Sequence, residues 1–275
     1  MSSGAWISEQ QRARQPWIVL SAAQSFSLAA SPHPAISHFY SLEVGCKHKD
    51  VVAIPDGCVD ILFDCDAQHP GAEVYGTPKH ALEIQLETGH RYFGVRFSPG
   101  VIPACFQVAA EELVEQHYDL QAVIPHAEPL FEWITQEAQF ARQIEIFHDF
   151  FANRQARPLS PLTRWVAREI ANHRGKLPMQ ALESLTGYSL RSIQRQFKAE
   201  MGVSPKTYSR ILRCQSAVHQ INYQNITHFA DLACDLGFTD QPHFLREFKQ
   251  MVSTTPGNYQ RQIQSQGYAQ RINFC

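Results

Sequence analysis

RQFKAEMGVSPKTY (195–208) and REFKQMVSTTPGNY (246–259) decide the reading of this chain. Both fit R-x-F-K-x6-P-x2-Y. Arg195, Phe197, Lys198, Pro205 and Tyr208 recur 51 residues later as Arg246, Phe248, Lys249, Pro256 and Tyr259. A repeat this strict, with polar and apolar residues at helical spacing, describes one helical unit used twice. At about 100° per residue, Leu190, Ile193, Phe197 and Met201 share one face of a helix over 190–201. Arg191, Gln194, Arg195 and Lys198 share another.

Working outward, each helix is preceded by a short helix and a glycine. MQALESLTG (179–187) ends on Gly187, where a positive φ is easily adopted, and Ser189 is placed to cap the next helix. ADLACDLGF (230–238) repeats the device with Gly237. There Thr239 or Asp240 is the expected cap, and Pro242 falls in the first turn, where its missing N–H costs nothing. Phe244, Phe248 and Met251 form the buried stripe of the second helix, and Gln241, His243, Arg246 and Gln250 face away. Between the units, a helix over 205–223 turns Tyr208, Ile211, Leu212, Val218 and Ile221 inward. It spans about 28 Å at 1.5 Å per residue, close to the roughly 34 Å between successive major-groove faces. Arg and Gln are the side chains that pair bidentately with guanine and adenine edges. Lys198 and Lys249 suit a phosphate contact or a neighbouring carboxylate.

Charge is distributed to match. Residues 158–263 hold 13 Lys and Arg against 7 Asp and Glu, a net +6, while the remainder carries −8, for −2 over the whole chain. One segment is suited to a polyanion and the other is not.

Residues 165–263 resemble the DNA-binding domain of the AraC/XylS family of bacterial transcription regulators. The resemblance rests on Gly187 and Gly237, GVSP (202–205), the segment 226–238 with its closing GF, and the two R-x-F-K helices. It implies an all-α domain of seven helices with two helix-turn-helix motifs, the second helix of each entering a major groove. By position it implies base contacts from Arg191, Gln194 and Arg195 in the first reader and from Gln241, His243 and Arg246 in the second. Pro242 stands where many members carry a polar residue, so a contact there is not carried over. IPDGCVDILF (54–63) and GVRFSPG (94–100) are similar to segments of N-terminal domains in some members. That implies a domain which senses a small molecule or forms a homodimer, in a regulator that works with RNA polymerase.

The fold class expected is therefore α+β: a mostly β domain with trailing helices over 1–155, a linker over 156–162, the DNA-binding domain over 163–264 and a tail over 265–275. VVAI (51–54) and CVDILFD (58–64) flank PDG and read as a hairpin. In Tyr92–Phe97, Phe93, Val95 and Phe97 alternate with Tyr92 and Arg96. Asp60, Tyr92 and Arg96 are thereby candidates to line an effector cavity, and an Arg beside a Tyr suits a carboxylate or phosphate; an exposed polar face is the plainer alternative. Residues 130–154 read as one long apolar helix, with Leu130, Ile134 and Ala138 on one stripe and Ile144, Phe147 and Phe151 on the next. Its role is packing on its own domain or forming a dimer interface.

Several classes are set aside. No nucleophile elbow, P-loop, G-x-G-x-x-G, H-x-H or H-E-x-x-H occurs, so no catalytic residue, metal site or cofactor is assigned. Seven scattered cysteines without a CxxC argue against a disulfide framework. The stretch 17–30 after Arg12 and Arg14 is too interrupted by Gln24 and serines for a signal peptide, and no run reaches the length of a membrane span. The expected location is the cytoplasm. Two rivals stay open: a bifunctional repair-type enzyme, which would need a zinc-bound cysteine cluster, and a non-specific architectural DNA binder.

Overall fold

A computed structural model describes residues 15–45, 51–224 and 226–275; Arg12, Arg14 and Cys46 lie outside them. After helix α1 (Pro16–Ser21) come strands β1 (Phe26–Ala30), β2 (Ile36–Glu43), β3 (Val51–Ala53), β4 (Asp60–Asp64), β5 (Gly71–Tyr75), β6 (Leu82–Ile84) and β7 (Arg91–Phe97). Then follow α2 (Ala110–Leu113), β8 (His117–Asp119), α3 (Leu120–Val123), α4 (Glu128–Gln136) and α5 (Phe140–Phe151). The C-terminal half is helical: α6 (Pro161–Asn172), α7 (Ala181–Thr186), α8 (Leu190–Met201), α9 (Pro205–Tyr223), α10 (Phe229–Asp235), α11 (Gln241–Val252) and α12 (Pro256–Ser265). A 3-10 turn (Tyr268–Arg271) and strand β9 (Ile272–Phe274) close the chain.

The main sheet has seven strands in the order β8-β5-β4-β7-β2-β1-β9. Its pairings are antiparallel except that of β9 with β1, which is parallel. Alternation along each strand gives the sheet two apolar faces. Phe39, Ile61, Phe63, Val74, Phe93, Val95 and Phe97 point to one face and form a core with Leu130, Ile134, Phe147 and Phe151. Phe26, Tyr40, Leu42, Leu62 and Tyr92 point to the other. They share a single core with α1 and with Val218, Leu232, Phe244, Phe248, Met251 and Tyr259 of the C-terminal half. The first helical unit has a core of its own, built on Val166, Ile170, Leu182, Ile193, Phe197, Tyr208 and Leu212.

Two sequence expectations are corrected. The PDG segment does not make a hairpin: β3 pairs with β6 in a separate two-stranded sheet, while β4 pairs with β5 and β7. The turn instead carries a buried Asp56, which accepts from Cys58 N at 2.9 Å and pairs with Arg96. Residues 130–154 are two helices broken over 137–139. On one continuous helix, Ile134 and Phe147 are thirteen residues apart and would point about 140° away from each other. The break lets both pack on the sheet. The carbonyls left unpaired there are satisfied: Gln143 Nε2 donates to Ile134 O at 3.0 Å, and Arg91 donates to Glu137 O at 2.9 Å and to Ala138 O at 2.8 Å. Ala138 therefore lies in the break and not on a stripe. The burial of Leu130, Ile134, Phe147 and Phe151 places α4 and α5 on their own domain. Residues 265–275, read from sequence as a tail, supply an edge strand of the main sheet.

The repeated units match their local signals. Gly187, Gly202 and Gly237 all adopt positive φ. Ser189 caps α8 by accepting from Ser192 N, and Asp240 caps α11 by accepting from His243 N at 2.6 Å. The buried stripes are Ile193, Phe197 and Met201 in α8 and Phe244, Phe248 and Met251 in α11.

Candidate nucleic-acid interface and ligand cavity

The helix repeat sets Arg195 and Arg246 at the sixth residue of α8 and α11. Both are exposed, as are Arg191, Gln194, Lys198, Gln241 and Lys249. Among the described residues, the side chains of Arg191, Gln194, Arg195, Gln241, Arg246 and Lys249 make no hydrogen bond or ion pair within the chain. An unpaired cation on a helix face is fully available to a phosphate or a base edge. His243 is placed differently. It is half-buried, edge-on to Phe238 at 5.5 Å, with Nε2 3.6 Å from Glu247 Oε1.

The C-terminal ends of both helices are held by the N-terminal half. On α8, Lys198 Nζ lies 2.5 Å from Glu111 Oε2 of α2. A Cβ on Gly202 would stand 2.4 Å from Ala110 O, so the close seating of α2 on the helix end needs glycine there. On α11, the last-turn carbonyls that no helix can pair find donors outside it: Gln250 O accepts from Ala81 N at 2.9 Å, and Val252 O from Trp17 Nε1 at 3.1 Å. The N-terminal ends, which meet base edges in helix-turn-helix proteins, remain clear. Lys198 and Glu111 are 54% and 44% exposed, so their pair is weak. Replacing Glu111 by Gln is expected to change unfolding free energy by less than about 1 kcal/mol, measured by urea denaturation.

Glu247 was missed by sequence reasoning and ties α11 to α9. It accepts from Arg210 Nε of α9 at 2.8 Å, and Arg213 stacks over Phe238 at 4.7 Å. An i, i+4 search within one helix cannot find such a pair, because its partners come from another helix.

On the second sheet face, Asp60 and Arg96 are direct cross-strand neighbours. Arg96 Nε donates to Asp60 Oδ1 at 2.8 Å, its NH2 group to Asp60 Oδ2, and NH1 lies 3.1 Å from Asp56 Oδ2. Arg96 and Asp56 are each 3% exposed. Gln15 completes the cluster, donating to Asp56 Oδ2 at 2.7 Å and accepting from Ile54 N at 2.8 Å. Burial pushes the Asp60 carboxyl up from its ordinary value, against the pull of Arg96. Asp56, Asp60, Gln15 and Tyr40 border a small cavity of about 30 Å³. A second cavity shares Gln15, Ile18 and Tyr40 and reaches Arg96, His38 and the C-terminal Tyr268, Ile272 and Phe274. Of the three sequence candidates, Asp60 and Arg96 thus come together. Tyr92 lies on the same face but borders neither cavity, and its hydroxyl accepts from Glu87 N at 2.8 Å. Arg96 is not the open anion receptor that its sequence context suggests. Asp56 was missed because it precedes β4, where strand parity carries no information.

Among the described residues no group of three metal-ligating side chains comes together, and no helix is long and apolar enough to cross a membrane.

Comparison with known proteins falls on the same two regions. Residues 167–262 match the family model described as "Helix-turn-helix domain", and residues 30–119 match a domain of unknown function, DUF6597. The HTH-type transcriptional activator RhaS of Yersinia pestis (strain Pestoides F) is 35% identical over 74 residues, 27% of each chain. RhaS of Escherichia coli O139:H28 is 29% identical over 98 residues, 36% of this chain and 34% of that one. The chain spans about a quarter to a third of the length of these curated relatives. Among solved structures, a probable AraC family transcriptional regulator from Rhodopseudomonas palustris aligns with 38% of this chain and 98% of its own, at 27% identity and TM-score 0.34. ToxT from Vibrio cholerae aligns with 86% of this chain and 98% of its own, at 10% identity and TM-score 0.44.

Proposed function

We propose that this chain, whose residues 167–262 match a helix-turn-helix domain, is a sequence-specific transcription regulator of the AraC/XylS type that inserts α8 and α11 into adjacent major grooves. One observation carries the reading. Two copies of the same helix are fixed at their C-terminal ends and present Arg and Gln side chains without partners among the described residues over their first six residues. Arg191, Gln194 and Arg195 read bases in one groove, and Gln241 and Arg246 in the next. His243 adds a contact if it leaves Glu247. Lys198 and Lys249 meet phosphate, Lys198 after parting from Glu111. The N-terminal domain senses a small molecule through the cavity beside Asp60 and Arg96. Its partners in this reading are double-stranded DNA, RNA polymerase at the promoter and, through the outer surface of α4 and α5 where Trp133 is 58% exposed, a second copy of the chain.

Selection of bound sites from a random DNA pool tests the proposal. Two conserved blocks about 10 base pairs apart are expected. Binding that depends steeply on salt but recovers no motif would instead describe the architectural binder.

A further inference from the structure

The cluster on the second sheet face is not electrically balanced. Asp56 and Asp60 contribute two negative charges and Arg96 one positive, leaving a net charge of about −1 with Arg96 and Asp56 almost out of reach of water. The guanidinium has Nε and one terminal nitrogen on Asp60 and the other terminal nitrogen on Asp56. Its Nε edge is taken by Asp60 and its other terminal nitrogen is turned to Asp56, so its charge is already matched within the cluster. An anion entering here would meet an existing surplus of negative charge in a poorly solvated place, and no lysine or arginine borders the first cavity among the described residues.

A second feature is independent of charge. Tyr40 is 3% exposed and borders both cavities, yet its hydroxyl has no hydrogen-bond partner among the described residues. The ring is fixed rather than loose: it stacks on Phe26 at 5.4 Å and lies against Gly94, where a Cβ would stand 2.0 Å from it. A fixed ring whose hydroxyl opens beside a negatively charged cluster offers a ligand an acceptor and a rigid wall. The rest of the cavity wall is aliphatic, with Leu42, Leu62, Leu82 and Ile84. The charged and polar groups that face it from the packed elements are Gln15, Asp56, Asp60 and Tyr75, whose hydroxyl is held by Glu73.

We propose that this cavity binds a small apolar organic cation, with an ammonium group between the Asp60 carboxylate and the Tyr40 hydroxyl and an alkyl or aryl body against the leucines. This rests on the reading of the N-terminal domain as a sensor, and it names the class of molecule sensed. The N–H groups donate to Asp60 and Tyr40, and the ligand's charge brings the cluster to neutrality. The second cavity meets the first at Gln15, Ile18 and Tyr40 and is walled by residues that follow α12. Occupancy is thereby adjacent to the segment that leads out of the DNA-reading half.

The test uses the full chain without DNA and three probes of like shape: 2-phenylethylamine, 3-phenylpropanoate and 2-phenylethanol. Calorimetry and thermal unfolding should show the amine binding at least about tenfold tighter than the carboxylate and the alcohol, and raising the melting temperature. Asp60→Asn should weaken the amine by at least about tenfold, the effect of losing one charge-assisted contact. Because Asp60→Asn also disturbs Arg96 and can fail to fold, Tyr40→Phe and the cavity-filling Leu62→Phe are measured beside it. Tyr40→Phe should weaken the amine severalfold, and Leu62→Phe should exclude it. Equal or tighter binding of the carboxylate, binding of no probe, or amine binding that survives both Tyr40→Phe and Leu62→Phe overturns the proposal. DNA binding, read separately by fluorescence anisotropy without probes, stands or falls on its own.

Discussion

The double substitution Arg195→Ala, Arg246→Ala is expected to abolish sequence-specific binding while leaving the fold intact. Each bidentate arginine contact to a base discriminates by about 1–3 kcal/mol. The two residues sit in different helices with no shared partner among the described residues, so their effects should add. The expected loss is about 2–6 kcal/mol, from roughly 30-fold to more than 10⁴-fold in affinity for the selected site. Stability should hardly change, because neither guanidinium has a partner in the free protein and exposed substitutions usually stay within about 0.5 kcal/mol. Anisotropy against the selected site and a scrambled one, with thermal unfolding as control, separates the outcomes. If neither single variant lowers affinity or relaxes preference, α8 and α11 are not the readers. A loss equal on both DNAs would mean that the arginines touch phosphate and do not read sequence.

The other large effect belongs to stability. Arg96→Ala leaves Asp56 and Asp60 facing each other without their counter-ion, Asp56 only 3% exposed. Removing one partner of a buried ion pair typically costs about 3–5 kcal/mol. Urea denaturation should show a midpoint lowered accordingly with an unchanged slope. The companion change Arg96→Met with Asp56→Asn and Asp60→Asn removes all three charges together and should recover most of that loss, since replacing a whole buried ionic set is often neutral. If Arg96→Ala alone unfolds at the native midpoint, the cluster is solvated and the account of the cavity fails with it.

The helical half was legible because its signals are local. Gly187, Ser189, Gly202, Gly237 and Asp240 act on the few residues around them, and the helical period of Ile193, Phe197 and Met201 needs no distant partner to be recognised. The sheet was legible only one strand at a time. Alternation correctly separated Phe93, Val95 and Phe97 from Tyr92 and Arg96, but which strands pair is a non-local matter. Nothing within 51–64 says that β3 turns to β6 and β4 to β7, and nothing within 265–275 announces a partner in β1, some 245 residues earlier. The break at 137–139 escaped notice because two apolar stripes out of phase resemble one broad stripe until a surface demands that both face it. In the cavity, Asp60 and Arg96 were found by parity; Asp56, Gln15 and Tyr40 come from a turn, a chain segment before α1 and a neighbouring strand, and only the fold assembles them.

The strand β9 has a mechanical meaning. The helical half is attached to the sheet at both of its ends, through 152–160 before α6 and through 266–271 after α12. Between those attachments it also shares a core with the second sheet face and is held at the ends of α8 and α11, so it does not swing free like a pendant module. Any message passed from the sheet would then reach α8 and α11 separately, through α2 on the one and through Ala81 and Trp17 on the other, and a promoter would sense it as a spacing that fits or does not. Cutting the rear mooring, by deleting residues 272–275, should loosen the seating of the helical half on the sheet and make binding more tolerant of extra base pairs between the two blocks.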